Sequence, residues 1–106
     1  MDAWTRSDVE AAHREAGSLY HEFMRVPALS CGLYVLEAGA ADPQSPHAED
    51  EIYHVLGGRA VITVAGEERP VAAGDTVYVA AGVHHRFHSI EERLELLVLF
   101  APAESA

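Results

Sequence analysis

The chain has 106 residues, of which 49% are hydrophobic and 23% charged, a composition typical of one globular domain. Seventeen acidic side chains against seven basic ones give a formal net charge of −10, which argues against a nucleic-acid partner because phosphates select basic surfaces. No apolar run approaches the ~20 residues that span a bilayer, and the N-terminus lacks a signal-peptide pattern. With a single cysteine, Cys31, we expect a soluble protein of the reducing cytoplasm, without membrane partners.

The first part of the chain predicts a short helix followed by a strand. Ser7 and Glu10 stand in the capping-box pattern, so a helix is predicted to begin at Asp8. Gly17 is a natural C-terminal stop for this helix. A strand is predicted over residues 19–26, where a proline follows it.

The rest of the chain predicts strands separated by turns. A strand over 29–38 precedes a loop over 39–46, which holds two prolines and a glycine. The double glycine at 57–58 is a hairpin signal, so separate strands are predicted at 51–56 and 59–65. Further strands are predicted at 69–72, 76–80, 85–88 and 94–100, with an exposed turn at 91–93. Short strands with frequent turn signals are typical of a β-sandwich or barrel.

Groups that can bind a metal are concentrated at the start of the strand at 51–56. Side chains alternate faces along a strand, so Glu51, Tyr53 and Val55 share one face, and His47 has the same parity. A carboxylate in an otherwise apolar strand is costly to bury unless a cation or a hydrogen-bond donor meets it.

A second segment with histidines follows a later glycine turn. His84 and His85 are adjacent, so only one of them can point inward, and the spacing from Gly82 and the parity shared with Phe87 favour His85. Two such segments on separate strands can together bind one metal ion. The remaining histidines are interpreted as surface or interface residues: His13, His21, His54 and His88.

These two segments resemble the paired motifs of the cupin family. The spacings match at Gly39, His47, Glu51 and Gly58 for the first motif, and at Gly74, Gly82 and His85 for the second. The departures from the motifs are Ser45 for the first histidine, Ala80 for a proline and Ser89 for an asparagine. Two motifs in the right order and separation are more specific than either alone.

The resemblance implies an all-β cupin β-barrel or jelly-roll sandwich with a short N-terminal helix. Its extent divides the single domain into a helix and edge strand at 1–28, the barrel at 29–101 and a C-terminal tail at 102–106.

The resemblance also implies that His47, Glu51 and His85 bind one divalent metal ion. Two imidazoles and one carboxylate are typical of non-haem Fe(II) sites, which favours Fe(II), although Zn(II), Mn(II), Ni(II) and Cu(II) fit the same donors. Because Ser45 replaces a histidine, the fourth ligand stays open between Gln44, Glu49 and a water molecule. The alternative is a hydrogen-bonded polar cluster without a metal.

Two functions of different class follow. The first is a metal-dependent enzyme acting on a small molecule, such as a dioxygenase, isomerase, lyase or decarboxylase, with Tyr53 as a proton donor or orienting group. The second is a non-catalytic module that binds or senses a small molecule. Fold alone does not decide between the two functions.

We also expect a homodimer, because apolar residues stand on the outward faces of two predicted strands: Ile52, Leu56, Leu97 and Leu99.

Overall fold

The computed structural model of the protein describes residues 1–44 and 46–105. Within this part of the chain, the regular secondary structure consists of one helix and six strands. Their bounds are α1 (Arg6–Ala16), β1 (Tyr20–Val26), β2 (Leu29–Leu36), β3 (Asp50–Val64), β4 (Glu67–Ala72), β5 (Thr76–Val79) and β6 (His85–Ala101). The predicted all-β fold with a short N-terminal helix is confirmed. No helical segment within 1–44 and 46–105 has the length and apolar character that a bilayer crossing requires.

The helix begins earlier than predicted because its N-cap is Thr5 rather than Ser7. Thr5 Oγ1 accepts the backbone N–H of Asp8 at 3.1 Å, and the Asp8 carboxylate accepts the backbone N–H of Thr5 at 3.2 Å. The sequence contains two overlapping capping patterns, and the fold uses the first, so the helix starts at Arg6. The predicted stop is confirmed, since Gly17 caps the helix in the left-handed conformation with a φ of 71°.

The six strands form one antiparallel sheet in the order β1-β2-β6-β3-β4, with β5 also paired to β3. Strands β3 and β6 are the longest and pair with each other along most of their length. Residues 51–54 of β3 pair with β5 and residues 59–64 with β4, so both ends of β3 have a second neighbour besides β6. The folded sheet surrounds an apolar core whose largest fully buried members include Leu36, Tyr53, Ile62, Phe87, Leu94 and Leu96.

The hairpin predicted at residues 57–58 is wrong, because the chain continues there as the single strand β3. The two glycines lie instead at a β-bulge, where the register against β6 shifts repeatedly over residues 55–61. Gly58 has a φ of 85°, and a Cβ at this position would lie 2.1 Å from the carbonyl oxygen of Arg93. Buried residues carry odd numbers before the bulge and even numbers after it, so the bulge keeps both halves of the strand facing the core.

The turn predicted at residues 91–93 is also wrong. These charged residues are exposed, as expected, but they lie within the continuous strand β6 and pair with β3, where Glu92 is opposite Arg59. The irregularity falls earlier, at Ser89, whose φ of 50° accompanies the change from odd-numbered to even-numbered buried positions. The strands predicted at 19–26, 29–38, 69–72 and 76–80 are confirmed, with ends shifted by at most two residues.

Candidate metal centre

Two strands and a loop deliver the predicted site residues to one place. Glu51 and Tyr53 lie on the inward face of β3 and are 1% and 0% exposed. His85 is the first residue of β6 and its side chain is 1% exposed. His47 belongs to the loop before β3 and is half-buried. The register of β3 therefore positions the carboxylate and the phenol, while His47 depends on its loop.

The three predicted ligands face one another. One ligand atom from each of His47, Glu51 and His85 lies within 4.8 Å of the others. Glu51 Oε1 lies 3.1 Å from His85 Nε2 and 4.0 Å from His47 Nε2. This donor set of two imidazole nitrogens and one carboxylate oxygen suits a divalent first-row metal ion.

The Glu51 carboxylate tests whether these residues fit a metal. Both of its oxygens are buried and accept no hydrogen bond, and the 3.1 Å contact with His85 lacks the alignment of one. A buried carboxylate without donors is strongly destabilising unless a cation compensates it. The chemistry of the site therefore fits a bound cation.

His85 is oriented by the backbone. Its Nδ1 lies 2.9 Å from the carbonyl oxygen of Val83, so Nδ1 carries the proton and Nε2 faces Glu51. Burial alone lowers the pKa of His85, but the contacts with Glu51 and the Val83 carbonyl and the nearby charge of Asp42 raise it above the ordinary value of 6.5. In the metal-free protein, His85 therefore keeps its second ring proton to a higher pH than an ordinary histidine does.

Tyr53 places a hydroxyl at the centre of the cluster. It donates a hydrogen bond to Gln44 Oε1 at 2.6 Å and lies 3.0 Å from His85 Nε2. Burial, followed by the charge of Glu51, raises the pKa of Tyr53 far above its ordinary value, so the phenol keeps its proton at neutral pH.

The candidates for the fourth ligand differ in whether they reach the site. Gln44 reaches the site, since its Oε1 also lies 3.2 Å from His47 Nε2. Glu49 is buried but turns away, and its Oε2 accepts the backbone N–H and the hydroxyl of Ser105 at 3.3 and 2.8 Å. Ser45 lies outside the described residues. A water molecule as the fourth ligand stays a prediction.

Two acidic residues of this region were missed in the sequence. The Asp42 carboxylate accepts hydrogen bonds from the hydroxyl of Tyr34 at 2.6 Å, from the side-chain amide of Gln44 at 2.8 Å and from the backbone N–H of Phe87 at 2.9 Å. Glu104 lies beyond the barrel and contacts His47, with its Oε2 3.1 Å from Nδ1. A carboxylate within a loop of turn residues was the available signal for Asp42, and no local pattern marks Glu104.

Two spaces flank the cluster. A cavity of about 100 Å³ is lined by His47 and Glu51, by aromatic and apolar side chains, and by Glu104. A more open cleft of about 310 Å³ lies against Gln44 and His85 on another side. Gln44 lines both spaces, so a small molecule has room beside the cluster.

The other histidines do not join the cluster. His84, next to His85, is exposed, which agrees with the prediction that His85 and not His84 points inward. His54 and His88 bind threonine hydroxyls of neighbouring strands through ring nitrogens, each at 2.8 Å. His13 contacts the carbonyl oxygen of Leu19 at 2.7 Å.

Comparison with known proteins identifies related sequences. A family model described as "Cupin domain" matches residues 32–100. The uncharacterized protein SCO3923 of Streptomyces coelicolor is 49% identical over 105 residues, covering 99% of this chain and 100% of that protein. The β-D-galactosidase Rv1717 of Mycobacterium tuberculosis is 31% identical over 94 residues, covering 86% of this chain and 81% of that protein.

Solved structures agree on the fold. The cupin domain of Cnp3 from Schizosaccharomyces pombe has a TM-score of 0.72 at 19% identity, covering 78% of this chain and 63% of that one. KdgF from Halomonas sp. has a TM-score of 0.72 at 23% identity, covering 78% of this chain and 76% of that one. These identities bear on the fold alone. The match of the family model over residues 32–100 shows that this chain belongs to the cupin family.

Proposed function

We propose that this cupin binds one divalent metal ion through His47, Glu51 and His85 and is an enzyme that acts on a small, oxygen-bearing molecule. The observation that carries the proposal is the Glu51 carboxylate, which is buried beside two imidazoles with neither oxygen hydrogen-bonded. In a purely structural cluster those oxygens are expected to be satisfied by donors, because folded proteins pair nearly all buried polar atoms.

A divalent metal held here would supply Lewis acidity, an activated water or, with Fe(II), redox chemistry. Fe(II) is favoured because two imidazoles and one carboxylate are its usual set in non-haem enzymes, and Zn(II), Mn(II), Ni(II) and Cu(II) suit the same donors. Dioxygenase, isomerase and lyase reactions all fall within the proposal.

Tyr53 is assigned the role of hydrogen-bond donor to the substrate. Its proton is directed at Gln44 Oε1 over 2.6 Å, and its raised pKa keeps that proton in place at neutral pH. A substrate oxygen that takes the position of the amide oxygen would receive the same hydrogen bond. Tyr53 would then orient the substrate and stabilise negative charge that develops on that oxygen.

The size of the site limits the substrate. The cavity beside His47 and Glu51 has a volume of about 100 Å³, below the roughly 300–1,000 Å³ of common ligand pockets. Its apolar walls, Val98 and Phe100, exclude water from one side, and its polar groups suit hydroxyl or carbonyl oxygens. We therefore propose a small substrate, or one small part of a larger molecule, inside the cavity.

Hydrolysis of a β-D-galactoside is a second candidate activity. The observation that favours it is the 31% identity to a protein named as a β-D-galactosidase, over 86% of this chain. Two carboxylates, Glu51 and Glu104, line the same cavity, and paired carboxylates are common in glycoside hydrolysis. A galactosyl unit would also need space from the neighbouring cleft.

We extend the proposal to assembly and location. The outer face of the sheet carries a row of adjacent side chains from β5, β3, β6 and β2, which are Tyr78, Ile52, Leu99 and Cys31. Tyr78 and Ile52 are 60% and 39% exposed, so a second copy of the chain packed on this face would bury apolar surface. A cytoplasmic location is proposed because Cys31 is a single cysteine that cannot form an intramolecular disulfide, which is usual in a reducing compartment.

The test is metal analysis followed by activity assays. Protein purified without added metal is examined by elemental analysis, before and after loading with Fe(II) or Zn(II). A stoichiometric metal and turnover in oxygen-uptake assays or with a chromogenic β-D-galactoside support the enzyme. Metal binding without any turnover favours a non-catalytic binding module, and failure to bind metal after loading refutes the proposed site.

A further inference from the structure

The segment after β6 carries a carboxylate back to the candidate metal centre. Glu104 Oε2 lies 3.1 Å from His47 Nδ1, on the side of the imidazole ring opposite to the nitrogen that faces Glu51. The Glu104 side chain is 26% exposed and that of His47 is 19% exposed, so the contact is largely removed from water. Glu104 also lines the cavity beside the cluster.

This segment is held in place by hydrogen bonds on both sides of Glu104. The backbone N–H of Ala103 donates to the Pro27 carbonyl at 3.2 Å, and the backbone N–H of Glu104 donates to Ser30 Oγ at 2.9 Å. Ser105 donates twice to Glu49, through its N–H at 3.3 Å and its hydroxyl at 2.8 Å. Each anchor belongs to the barrel or its border, so the position of the Glu104 carboxylate is defined by the fold.

The two histidines of the cluster have matching environments. His85 has its Nδ1 beside the backbone carbonyl of Val83, which leaves Nε2 facing Glu51. His47 has its Nδ1 beside Glu104, which leaves Nε2 facing the oxygens of Glu51 and Gln44. His47 lies in a loop and has no strand partner, and the Glu104 carboxylate lies beside its Nδ1 where His85 has a backbone carbonyl.

We propose that Glu104 is a positioning residue for His47: its carboxylate lies 3.1 Å from Nδ1 and holds the imidazole ring in the orientation that aims Nε2 at the metal. An acceptor on the outer nitrogen of a histidine ligand orients the ring and makes the inner nitrogen a better donor. This inference rests on the proposed metal site and adds to it a residue that lies outside both cupin motifs.

The first test measures metal affinity in the full chain, with Zn(II) as the probe and a chelator as competitor. Glu104→Ala is expected to weaken Zn(II) binding by about 10- to 100-fold, as for other acceptors behind histidine ligands. Glu104→Gln keeps an acceptor oxygen and loses the charge, so its affinity should fall between those of the wild type and Glu104→Ala. Glu91→Gln, which changes an exposed carboxylate paired with Arg59, is the matched control and should bind as the wild type does.

The second test needs no metal. Proton NMR of the metal-free protein should show nuclear Overhauser contacts between the His47 and Phe100 rings, whose centroids are 4.8 Å apart, in the wild type and in Glu104→Gln. In Glu104→Ala these contacts should weaken as the His47 ring loses its orientation, while those between His85 and Tyr53 should stay unchanged because Nδ1 of His85 lies against a backbone carbonyl. Comparison with His85 separates an effect on His47 from a general loosening of the fold.

The outcomes distinguish this inference from the proposed function. A wild-type protein that binds no Zn(II) refutes the metal site, and the orientation of the His47 ring then still tests Glu104. If the wild type binds Zn(II) and Glu104→Ala binds it equally well, the positioning role is wrong. Weaker binding with an unchanged His47 ring orientation also overturns it, because the segment would then act through the cavity wall and not through His47.

Discussion

Replacing Glu51 by glutamine should make the metal-free protein more stable. The carboxylate is 1% exposed and its oxygens accept no hydrogen bond, whereas a neutral amide of the same shape can donate to His85 Nε2. Removing an unsatisfied buried group is worth about 1–3 kcal/mol in the free energy of unfolding. For 106 residues at about 2.1 cal/mol/K per residue, the unfolding entropy is roughly 0.2 kcal/mol/K, so Tm should rise by about 5–15 °C.

The same substitution should weaken metal binding. Structural zinc sites with four ligands gain about 10–16 kcal/mol on binding, which corresponds to about 3–4 kcal/mol for each ligand. Losing the charged ligand of a three-residue set should therefore lower the affinity by about 100- to 1,000-fold. The stability of the metal-free protein should rise and the metal affinity should fall, because the carboxylate binds the ion but destabilises the fold when no ion is present.

The assay combines thermal unfolding of the metal-free protein, followed by circular dichroism, with metal titration against a chelator. Stability is compared over a range of pH up to about 9, because a charged His85 would pair with Glu51 and offset part of the gain at lower pH. Glu49→Gln is the matched control, since its amide oxygen can still accept the Ser105 bonds and Glu49 faces away from the site. A Glu51→Gln protein that is less stable and binds metal as tightly as the wild type would show that Glu51 serves the fold.

Three further predictions address the ligands, the pH dependence and the assembly. His85→Ala should lower metal content severely, whereas His84→Ala, at the adjacent exposed position, should leave it unchanged; equal content by elemental analysis would refute the assignment. The raised pKa of His85 means that the metal-free fold binds this proton more tightly than the unfolded chain, so the contribution to stability is present below the ordinary pKa of 6.5 and lost as the pH rises through the raised value. Metal affinity should show the opposite trend and increase with pH, because protonated imidazole cannot coordinate; affinity independent of pH between about 5 and 9 would contradict this. Light scattering should give about twice the 11.5 kDa chain mass, and Ile52→Glu should shift the protein toward the monomer; a monomer at all concentrations would refute the dimer.

The sequence predicts the fold well where residue patterns are local. Glu51, Tyr53 and Val55 alternate with more exposed neighbours, and all three are buried on the inward face of β3 as expected. The end of the helix at Gly17 is equally local, because a left-handed residue suffices to stop it.

The errors in the predicted strands arise where the backbone conformation depends on a contact that is distant in sequence. A double glycine favours both a hairpin and a bulge, and the choice at residues 57–58 depends on the carbonyl of Arg93, which approaches too closely for any Cβ. The charged residues at 91–93 are exposed in either a turn or a strand, so exposure alone could not distinguish these structures. Pairing between β3 and β6 decides both cases, and that pairing is invisible to a local pattern.

The candidate site was likewise predicted only in part from local patterns. The motif spacing identified His47, Glu51 and His85, and the structure brings all three within ligand distance of one another. Asp42 and Glu104 were missed because one partner of each lies far away in sequence, which is Phe87 in β6 for Asp42 and His47 in the loop before β3 for Glu104.

The difference between the ligands follows from the backbone that carries them. Glu51 lies in a strand with neighbours on both sides, opposite Val79 in β5 and Phe100 in β6, so its backbone is fixed by the sheet. His47 has no such pairing, and the conformational freedom of a loop opposes a single ring orientation. A proposed ligand on a paired strand therefore needs little support from side chains, whereas the loop residue His47 is held by the Gly82 N–H that its carbonyl accepts and, as we propose, by the Glu104 carboxylate beside its ring. A residue that orients a ligand can come from any segment that the fold brings near. Strand periodicity and motif spacing therefore identify the candidate ligands but not the residues that orient them.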